Sequence, residues 1–388
     1  MKPCAPVAIE AVCSGSAREM GLAQGEQLRD KIAASVSILE DLEAFRLQRP
    51  SYLPPACFRE LARFQAKRYC ARGLKEVLPE SRDRLEGMSS GSGVSMRDLC
   101  LLNVMEAVLS DLSGSSHVPV SAACSAMAVT GDASKTGSPI LAHSFDYLPV
   151  IQPLYAVREN RPSSGLRSLE FTVAPLCGAV DGINEAGLCI TYNYAYTTDN
   201  AGPAPTLSML ISEALRRFRT VPEAVEFLAS PRRSGGGLLM LGDSAGNIAS
   251  LELSATRHAV REGTRETEML FHTNRFQTDS MPRVETDGEA FYSRRAPAAL
   301  RGCRVHQTSD RRDERFGQQL AEGGVFDAER IHGIMSDHGS EGEPSADTIC
   351  MHSDYWYTTA CIQMLPRAGR MRVSYSTACQ AEFSELSL

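Results

Sequence analysis

The order of helical and extended segments along the chain constrains its fold more than any other sequence feature. Residues 16–48 and 56–79 are rich in Ala, Leu, Glu, Lys and Arg with apolar residues at helical spacing, and residues 96–112 form another apolar-rich helical segment. From position 124 onwards, short runs rich in Val, Ile, Thr, Tyr and Phe alternate with clusters of Gly, Asp, Asn and Ser, as strands alternate with turns. Helical patterns return at TLSMLISEALRRF and VPEAVEFLAS before the C-terminus reverts to strands. This order predicts an α+β layered domain rather than a regular parallel βαβ repeat.

Several strand pairs and loops can be predicted individually. CSAMAV and PILAHSFDY flank GDASKTGS, and GGLLMLGD and NIASLEL flank SAG, so both pairs are expected to form hairpins. SLEFTVAP, LCGAVDGIN and GLCITYNYAY are further strand candidates, and TTACIQML and RMRVSYS lie on either side of the turn PRAG. A loop of small residues is expected at GMSSGSGVS, and polar surface loops are expected at 156–167, 277–290 and 338–347.

Composition and charge exclude several classes of function. The 388 residues are 43% hydrophobic and 22% charged, which is enough to bury a large core in one large domain or two ordinary ones. The net charge is -7 and the basic residues form no long block, so we expect no nucleic acid partner. The N-terminus, MKPCAPVAIEAVC, has no sustained apolar segment, so we expect no signal peptide, no membrane span and a soluble cytoplasmic protein.

The cysteines and histidines show no spacing that is typical of a metal site. The 12 cysteines are scattered through a long chain without an export signal, which favours reduced thiols. No C-x-x-C or H-E-x-x-H motif occurs, and no Cys/His pair is recognisable at ligand spacing. A P-loop and a dinucleotide fingerprint are also missing, so we expect neither a metal nor a cofactor.

Cys124 is the thiol for which a chemical role can be argued. A thiol attacks as its thiolate, and a free cysteine with a pKa of about 8.5 needs a base or an electropositive site to reach that form. One solution places the nucleophile at a chain terminus, where its own α-amino group, with a pKa of about 7.7–8.0, takes the proton. Cys124 would gain such an amine if its thiol attacked the carbonyl of Ala123 and the bond between them were cut.

Six segments of the chain, taken in order, resemble one known family. Before Cys124 these are GSAREMGLAQGEQLRDKI and LEGMSSGSGVSMRDLCLLNVMEAV, which are similar to the family's opening segment and to its glycine loop with the following helix. ACSAMAV with SPILAHSFDY resembles the start of the catalytic chain, and DGINEAGLCITYN resembles a G-x-N-E-x-G-L strand pair. FHTNRF is similar to H-T-N-H-F, and TICMH with TTACIQMLPRAGRMRVSYSTAC resembles the closing hairpin. The family is the acyl-CoA:6-aminopenicillanic acid (isopenicillin N) acyltransferases, relatives of choloylglycine hydrolases and acid ceramidase, and the resemblance covers nearly the whole chain.

The resemblance implies an N-terminal-nucleophile hydrolase with a four-layer αββα sandwich fold, synthesised as a proenzyme and cleaved before Cys124. Residues 1–123 would form a mostly helical pro-segment, or α chain, that packs on the core, and residues 124–388 would form a β chain with the catalytic αββα core. The two fragments of one precursor would make one structural domain, either alone or in a homo-oligomer. The expected partner is a small-molecule acyl donor, as an amide or acyl thioester, and the acyl group would pass to water or to an amine acceptor.

The resemblance also implies roles for individual residues. The Cys124 thiol would accept the acyl group with its freed amine as the general base, and Asp146 would hold that amine. Asn274 and Asn193 would hydrogen-bond the oxyanion that forms at the attacked carbonyl, and Arg294 would orient the nucleophile end. The candidates for substrate binding are His143, Tyr147 and Tyr192.

The chain departs from the family pattern at two places. Ala123 stands where the family usually has Gly before the nucleophile, so strained backbone conformations are harder to reach, and self-cleavage is expected to be slower or absent. HSFDY stands where relatives carry Q-N-W-D or R-N-x-D, which puts His143 and Ser144 near the nucleophile. Because histidine changes charge near neutral pH, His143 is a candidate for a base or a substrate contact.

Two alternatives stay open at this point. An uncleaved chain could use internal Cys124 with a histidine base such as His143 or His272, which predicts an active intact chain. A catalytically silent protein of the same fold could bind an acylated small molecule. It predicts an intact chain without covalent labelling of Cys124.

Overall fold

The structure is a computed structural model of the chain and describes residues 6–113, 123–264 and 268–388. The described helices are α1 (Ala17–Gln27), α2 (Arg29–Asp41), α3 (Glu43–Leu47), α4 (Pro55–Arg68), α5 (Leu74–Val77), α6 (Pro79–Ser92), α7 (Met96–Ser113), α8 (Leu207–Arg217), α9 (Val221–Ala229), α10 (Gln307–Ala321) and α11 (Ala328–Met335). The described strands are β1 (Ile9–Gly15), β2 (Ala123–Val129), β3 (Ile140–Tyr147), β4 (Tyr155–Pro162), β5 (Ser168–Val173), β6 (Asp181–Asn184), β7 (Cys189–Ala195), β8 (Gly236–Gly242), β9 (Ile248–Leu253), β10 (His258–Glu262), β11 (Met269–His272), β12 (Tyr357–Leu365), β13 (Arg370–Ser374) and β14 (Ser384–Ser387). Within the described ranges, none of the helices combines the length and hydropathy that crossing a bilayer requires.

Two sheets face each other in the centre of the molecule. Strands β1-β4-β5-β6-β7-β8-β9-β10 form an eight-stranded sheet, and β11-β2-β3-β12-β13-β14 form a six-stranded sheet. Neighbouring strands are antiparallel except β1 and β4, which are parallel. Strands β2 and β3 of the smaller sheet contact β7 and β8 of the larger one. Both predicted hairpins, β2 with β3 and β8 with β9, are therefore confirmed and pack against each other.

Helices cover the outer faces of both sheets. Helix α8 packs on β5, β6 and β7 and α9 packs on β9, whereas α10 packs on β11 and β2 and α11 packs on β3. The apolar stripe of α8 explains this placement, because Leu207, Leu210, Ile211, Ala214 and Leu215 are all buried. The order of layers is helix, sheet, sheet, helix. The expected α+β fold with a four-layer αββα sandwich is confirmed.

The polar segment 156–167 is not the expected surface loop, because its first part belongs to β4. This strand lies inside the eight-stranded sheet, between β1, which no sequence pattern predicted, and β5. Its Arg158 is fully buried, lies 2.7 Å from Glu170 and donates to main-chain oxygens of the loop after β5. A buried charge is tolerated where it is paired and fully hydrogen-bonded. The charged residues of this segment therefore do not prevent it from forming a central strand.

The glycine-rich segment GMSSGSGVS is mostly helical rather than a loop, because α6 runs through most of it. Gly87 and Gly91 of α6 pack against α1, where Gly21 and Gly25 occupy equivalent spacing. A Cβ at Gly87 would lie 2.0 Å from the carbonyl oxygen of Arg18. The small residues therefore allow two helix backbones to approach closely, and sequence composition alone cannot distinguish this use of glycine from flexibility.

The expected boundary before Cys124 does not separate two cores. One buried apolar cluster contains Ile32 and Leu85 from the first third of the chain together with Leu141 and Leu210 from the remainder. Cleavage before Cys124 would thus leave two fragments that share one hydrophobic core. Cleavage itself stays a prediction.

Candidate active site

Cys124 is the second residue of β2, and the hairpin with β3 determines its neighbours. The antiparallel register places Cys124 opposite Phe145 and Ala123 opposite Asp146. Both residues of the predicted cleavage bond are buried, and Cys124 is 0% exposed. The candidate nucleophile therefore lies inside the sandwich, at the start of a strand.

Asn274 holds the main-chain nitrogen of Cys124. Strand β11 pairs with β2 and ends at His272, opposite Ala126, so a continued register would bring residue 274 opposite Cys124. Strand β11 has ended before this point, and a side chain supplies the acceptor instead of a main-chain oxygen. Oδ1 of Asn274 accepts a hydrogen bond from the Cys124 N–H at 2.9 Å. Its Nδ2 donates to the carbonyl oxygen of Tyr194 at 2.8 Å, which ties β2 to the facing sheet.

Arg312 of α10 contacts the same group of atoms. Its Nη1 donates to the carbonyl oxygen of Cys124 at 2.6 Å and to Oγ of Ser125 at 2.9 Å. Its Nη2 donates to Oδ1 of Asn274 at 2.9 Å. Because Arg312 is 0% exposed, its charge acts on the site with little screening by water.

Arg312, and not Arg294, is the arginine that the structure brings to Cys124. Arg294 lies in an exposed turn, and no hydrogen bond or ion pair within the described ranges joins it to this cluster. The sequence does contain a signal for Arg312. Helix α10 is amphipathic, and its buried face consists of Ser309, Arg312, Phe316 and Leu320, so an arginine occupies a core position.

Asp146 on β3 completes the polar cluster. Its Oδ1 accepts a hydrogen bond from Oγ1 of Thr358 at 2.5 Å. Its Oδ2 lies 3.9 Å from Nη1 of Arg312 and has no hydrogen-bond partner among the residues that the structure describes. Burial raises the pKa of Asp146 to about 7, although the Arg312 charge and the Thr358 hydrogen bond act in the opposite direction. This carboxyl therefore changes charge near neutral pH.

The thiol of Cys124 is protonated in the intact chain. Burial raises its pKa well above the ordinary range, and the charge of Asp146 adds to this increase. A main-chain hydrogen bond of Asp146 and the charge of Arg312 lower the pKa but do not compensate for burial. The uncut chain thus holds the thiol in its less reactive form.

Asn193 of β7 lies beside this cluster. Its Nδ2 donates to the carbonyl oxygen of Thr273 at 3.0 Å, and its Oδ1 is buried without a hydrogen-bond partner in the described part of the chain. Thr273 precedes Asn274 directly. The two asparagines that the sequence singled out therefore meet at the residues that follow β11.

A cavity of about 500 Å³ lies next to the β2–β3 hairpin. Its lining includes Tyr147 and Tyr192, two of the predicted substrate-binding residues, and Phe145, which pairs with Cys124. Helices α2 and α7 from the first third of the chain also line it, and α7 contributes Glu106, whose pKa is raised to about 7 by burial. The size and the mainly apolar and aromatic lining are typical of small-molecule sites. Cys124 itself is not among the described lining residues of the intact chain.

His143 and His272 are buried and both lie opposite Ala126, two positions along β2 from Cys124. Nδ1 of His143 lies 2.8 Å from Oδ2 of Asp181, and Nδ1 of His272 lies 2.8 Å from Oγ of Ser250. Burial lowers the pKa of His272 well below its ordinary value. Within the described ranges, neither ring hydrogen-bonds to Cys124 and neither histidine lines the cavity. The structure therefore does not bring a histidine base to the thiol.

Comparison with known proteins finds one family. A sequence profile described as acyl-coenzyme A:6-aminopenicillanic acid acyl-transferase matches residues 133–359, more than half of the chain. The matched range contains Asp146, Asn193, Asn274 and Arg312 and begins after Cys124. No curated protein matches the chain by sequence.

Solved structures with a related fold are distant in sequence. The Caenorhabditis elegans ortholog of N-acylethanolamine-hydrolyzing acid amidase is 14% identical with a TM-score of 0.43, over 68% of this chain and 100% of that chain. Penicillin V acylase from Agrobacterium tumefaciens is 16% identical with a TM-score of 0.42, over 68% of this chain and 86% of that chain. A mutant of conjugated bile acid hydrolase from Clostridium perfringens is 12% identical with a TM-score of 0.38, over 68% and 97% of the two chains.

Proposed function

Because the chain belongs to the acyl-coenzyme A:6-aminopenicillanic acid acyl-transferase family, we propose that it is a self-processing acyltransferase or amidohydrolase with a thioester intermediate on Cys124. The α-amine of Cys124, freed by cleavage after Ala123, is the proposed general base. Asp146 and Asn274 hold this amine, and Arg312 takes the orienting role that the sequence resemblance implied for Arg294.

The contact between Asn274 and the main-chain nitrogen of Cys124 carries this proposal. That nitrogen would become the free α-amine, and it already lies 2.9 Å from a buried amide oxygen that also accepts from Arg312. Arg312 fixes the carbonyl oxygen of the same residue at 2.6 Å. A structural cysteine in a strand needs only the ladder of the neighbouring strand for its main-chain groups. Here Asn274 and Arg312 bind the main-chain N–H and the carbonyl oxygen of Cys124. Such contacts are expected where a reactive chain terminus has to be held in one position.

Processing would begin with attack of the Cys124 sulfur on the carbonyl carbon of Ala123. A C–S bond forms, the C–N bond breaks, and the nitrogen takes up the thiol proton. Water then hydrolyses this internal thioester and leaves a carboxylate on Ala123 and a free thiol and amine on Cys124. The raised pKa of the buried thiol and the alanine before it are both reasons for a slow first step.

Turnover would use the new terminus as both base and nucleophile. The α-amine, with a pKa of about 7.7–8.0, takes the thiol proton, and the thiolate attacks the acyl carbonyl of the donor. The resulting ammonium returns its proton to the leaving amine or thiol, and water or an amine acceptor then attacks the thioester. Asp146 stabilises the ammonium, while Nδ2 groups of Asn193 and Asn274 are the proposed donors to the oxyanion. Loss of one such donor typically lowers kcat by about 10²–10³-fold.

The cavity beside the hairpin is the proposed acyl site. Tyr147, Tyr192 and the apolar residues of α2 would contact the acyl group, and Phe145 connects this lining to Cys124. The lining is mainly apolar and aromatic, its acidic residues are Glu106 and Asp199, and Glu106 is largely neutral below pH 7. A mostly apolar acyl group without negative charge therefore fits best. The family's name suggests an acyl thioester donor and an amine acceptor, and an amide donor uses the same intermediate.

Intact-mass spectrometry tests the proposal directly. The purified wild-type chain should yield two fragments, 1–123 and 124–388, and Cys124→Ala should remain one chain. An acyl thioester added to the cleaved protein should increase the mass of the 124–388 fragment by one acyl group. Cys189→Ala is a matched control, because Cys189 is also a buried strand cysteine, and this variant should cleave and acylate like the wild type.

Other results would support the alternatives instead. An unbroken wild-type chain that is acylated at Cys124 would indicate an internal nucleophile without processing. An unbroken chain that neither acylates nor turns over amides and thioesters would indicate a binding protein, provided that Cys124→Ala still binds the same acyl compounds.

A further inference from the structure

Two histidines and two cysteines from three segments lie close together outside the candidate active site. His338 follows α11, Cys350 and His352 precede β12, and Cys379 follows β13. One potential ligand atom of each residue lies within 4.8 Å of those of the other three. Cys350 is buried and Cys379 lies at the surface, so the cluster sits at the rim of the fold and is accessible to an ion.

Two of the distances between ligand atoms, both at His352, match those of a tetrahedral zinc site. Nε2 of His352 lies 3.4 Å from Sγ of Cys350 and 3.6 Å from Sγ of Cys379. Zn–S bonds of about 2.3 Å and Zn–N bonds of about 2.0–2.1 Å place sulfur and nitrogen about 3.5 Å apart at a tetrahedral angle. One ion can therefore fit between these atoms with little rearrangement.

The hydrogen bonds of His352 orient its ring as in a metal ligand, and His338 has a ring nitrogen without a partner among the described residues. Nδ1 of His352 lies 2.8 Å from Oη of Tyr357, so this nitrogen can carry the proton while Nε2 faces the two sulfurs. Nε2 of His338 is buried and has no hydrogen-bond partner in the described part of the chain. The two rings stand edge to face with centroids 5.1 Å apart. A cation bound by this cluster would give the buried ring nitrogen of His338 a partner.

We propose that His338, Cys350, His352 and Cys379 bind one Zn²⁺ ion as a structural site. Two thiolates and two neutral imidazoles balance the charge of the ion, and four protein ligands leave no open position for catalysis. Sulfur and imidazole ligands favour zinc over the oxygen-preferring Mg²⁺ and Ca²⁺. Binding releases the two thiol protons to solvent. The spacing of these residues along the chain gave no sign of this site, because the four side chains come together only through the fold.

This zinc site is linked to the candidate active site through Thr358. The main-chain N–H of Met351, between Cys350 and His352, donates to Oγ1 of Thr358 at 2.8 Å. The same hydroxyl donates to Oδ1 of Asp146 at 2.5 Å. An ion that clamps the 350–352 segment would hold Thr358 in place, and so would fix the orientation of the Asp146 carboxyl.

The zinc content of the full chain is the first measurement. Wild-type protein purified without chelators should contain about one Zn²⁺ per chain, and Cys379→Ser and His338→Asn should reduce this to less than about 0.1. Cys303→Ser and His258→Asn are matched controls, because both residues are exposed and lie outside the cluster, and they should retain the ion.

A second measurement on the wild type does not depend on the folding of the variants. Cobalt added after removal of zinc should give thiolate-to-cobalt charge transfer and the intense d–d bands of tetrahedral coordination. Zinc removal should lower Tm, and added Zn²⁺ should restore it. A chain that takes up neither Zn²⁺ nor Co²⁺ while both thiols remain free would overturn the proposal. A disulfide between Cys350 and Cys379 in the purified protein would overturn it as well.

Discussion

Replacing Asp146 by Asn should stabilise the intact chain at alkaline pH while it removes the proposed partner of the amine. Burial raises the pKa of this carboxyl from its ordinary 3.8 to about 7, even though Arg312 acts against the increase. A carboxyl whose pKa is raised by folding favours the folded state most below its unfolded pKa. That contribution is lost as the pH rises towards the folded pKa, because only the unfolded chain can ionise freely. Asparagine has no such cost and still offers an oxygen to Thr358.

The size of this effect on the free energy of unfolding follows from the pKa of Asp146 in the unfolded and in the folded chain. One pKa unit corresponds to about 1.4 kcal/mol, so the increase from 3.8 to about 7 costs the folded chain about 4 kcal/mol at pH 8. At pH 5 only the interval between 3.8 and 5 contributes, which amounts to about 1.6 kcal/mol. The free energy of unfolding of the Asn variant, relative to its parent, should therefore increase by about 3 kcal/mol between pH 5 and pH 8.

Urea unfolding in a Cys124→Ala background gives this comparison without interference from cleavage. Asp327→Asn is the control, because Asp327 is a partly exposed N-cap whose pKa is lowered by the main-chain N–H of Arg330 and by Lys135. It is ionised in both states throughout this pH interval, so its replacement should have the same effect at both pH values. If the Asp146→Asn difference were equally independent of pH, Asp146 would have an ordinary pKa, and the assignment of burial as its dominant influence would be refuted.

Three other substitutions test the helix packing, the buried ion pair and the cavity. Gly87→Ala should lower the free energy of unfolding by at least about 1–3 kcal/mol in urea titrations, because its methyl group would lie 2.0 Å from a main-chain oxygen of α1. Exposed Ser90→Ala on the same helix should change it by only a few tenths, and equal effects would contradict the close helix contact. Arg158→Met should cost about 3–5 kcal/mol because it leaves Glu170 buried without its ion-pair partner. Adding Glu170→Leu should recover the part of this loss that comes from the unpaired charge, but not the part that comes from the main-chain oxygens of Cys177 and Gly178, which lose their donor. A double variant as unstable as the single one would contradict this account. Wild-type KM for a neutral acyl donor should increase as the pH rises through about 7, because ionisation of Glu106 places a charge in the cavity. Glu106→Gln should remove this increase. An unchanged pH profile in the variant would place the acyl group elsewhere.

Local patterns identified most elements because periodicity and turn residues act within one segment. The apolar stripe of α8 and the two hairpins are examples, and each depends on residues that are close in sequence. The same reasoning misjudged β4, since its charges are neutralised by Glu170 and by a distant loop. It also misjudged α6, where the glycines serve a contact with α1. In both cases a long-range partner overrides local composition.

The sequence by itself determined the α+β layering and, through its ordered motifs, the family and the choice of Cys124 with Asp146 and Asn274 as candidates. The tertiary structure alone decided which arginine reaches Cys124, because Arg312 comes from a helix 188 residues away. It also decided that four scattered thiols and imidazoles form one cluster. The spacing of residues along a chain indicates which of them are neighbours within one helix or strand. The Arg312 contact and the thiol–imidazole cluster instead form where separate elements pack together, and this packing depends on the whole core.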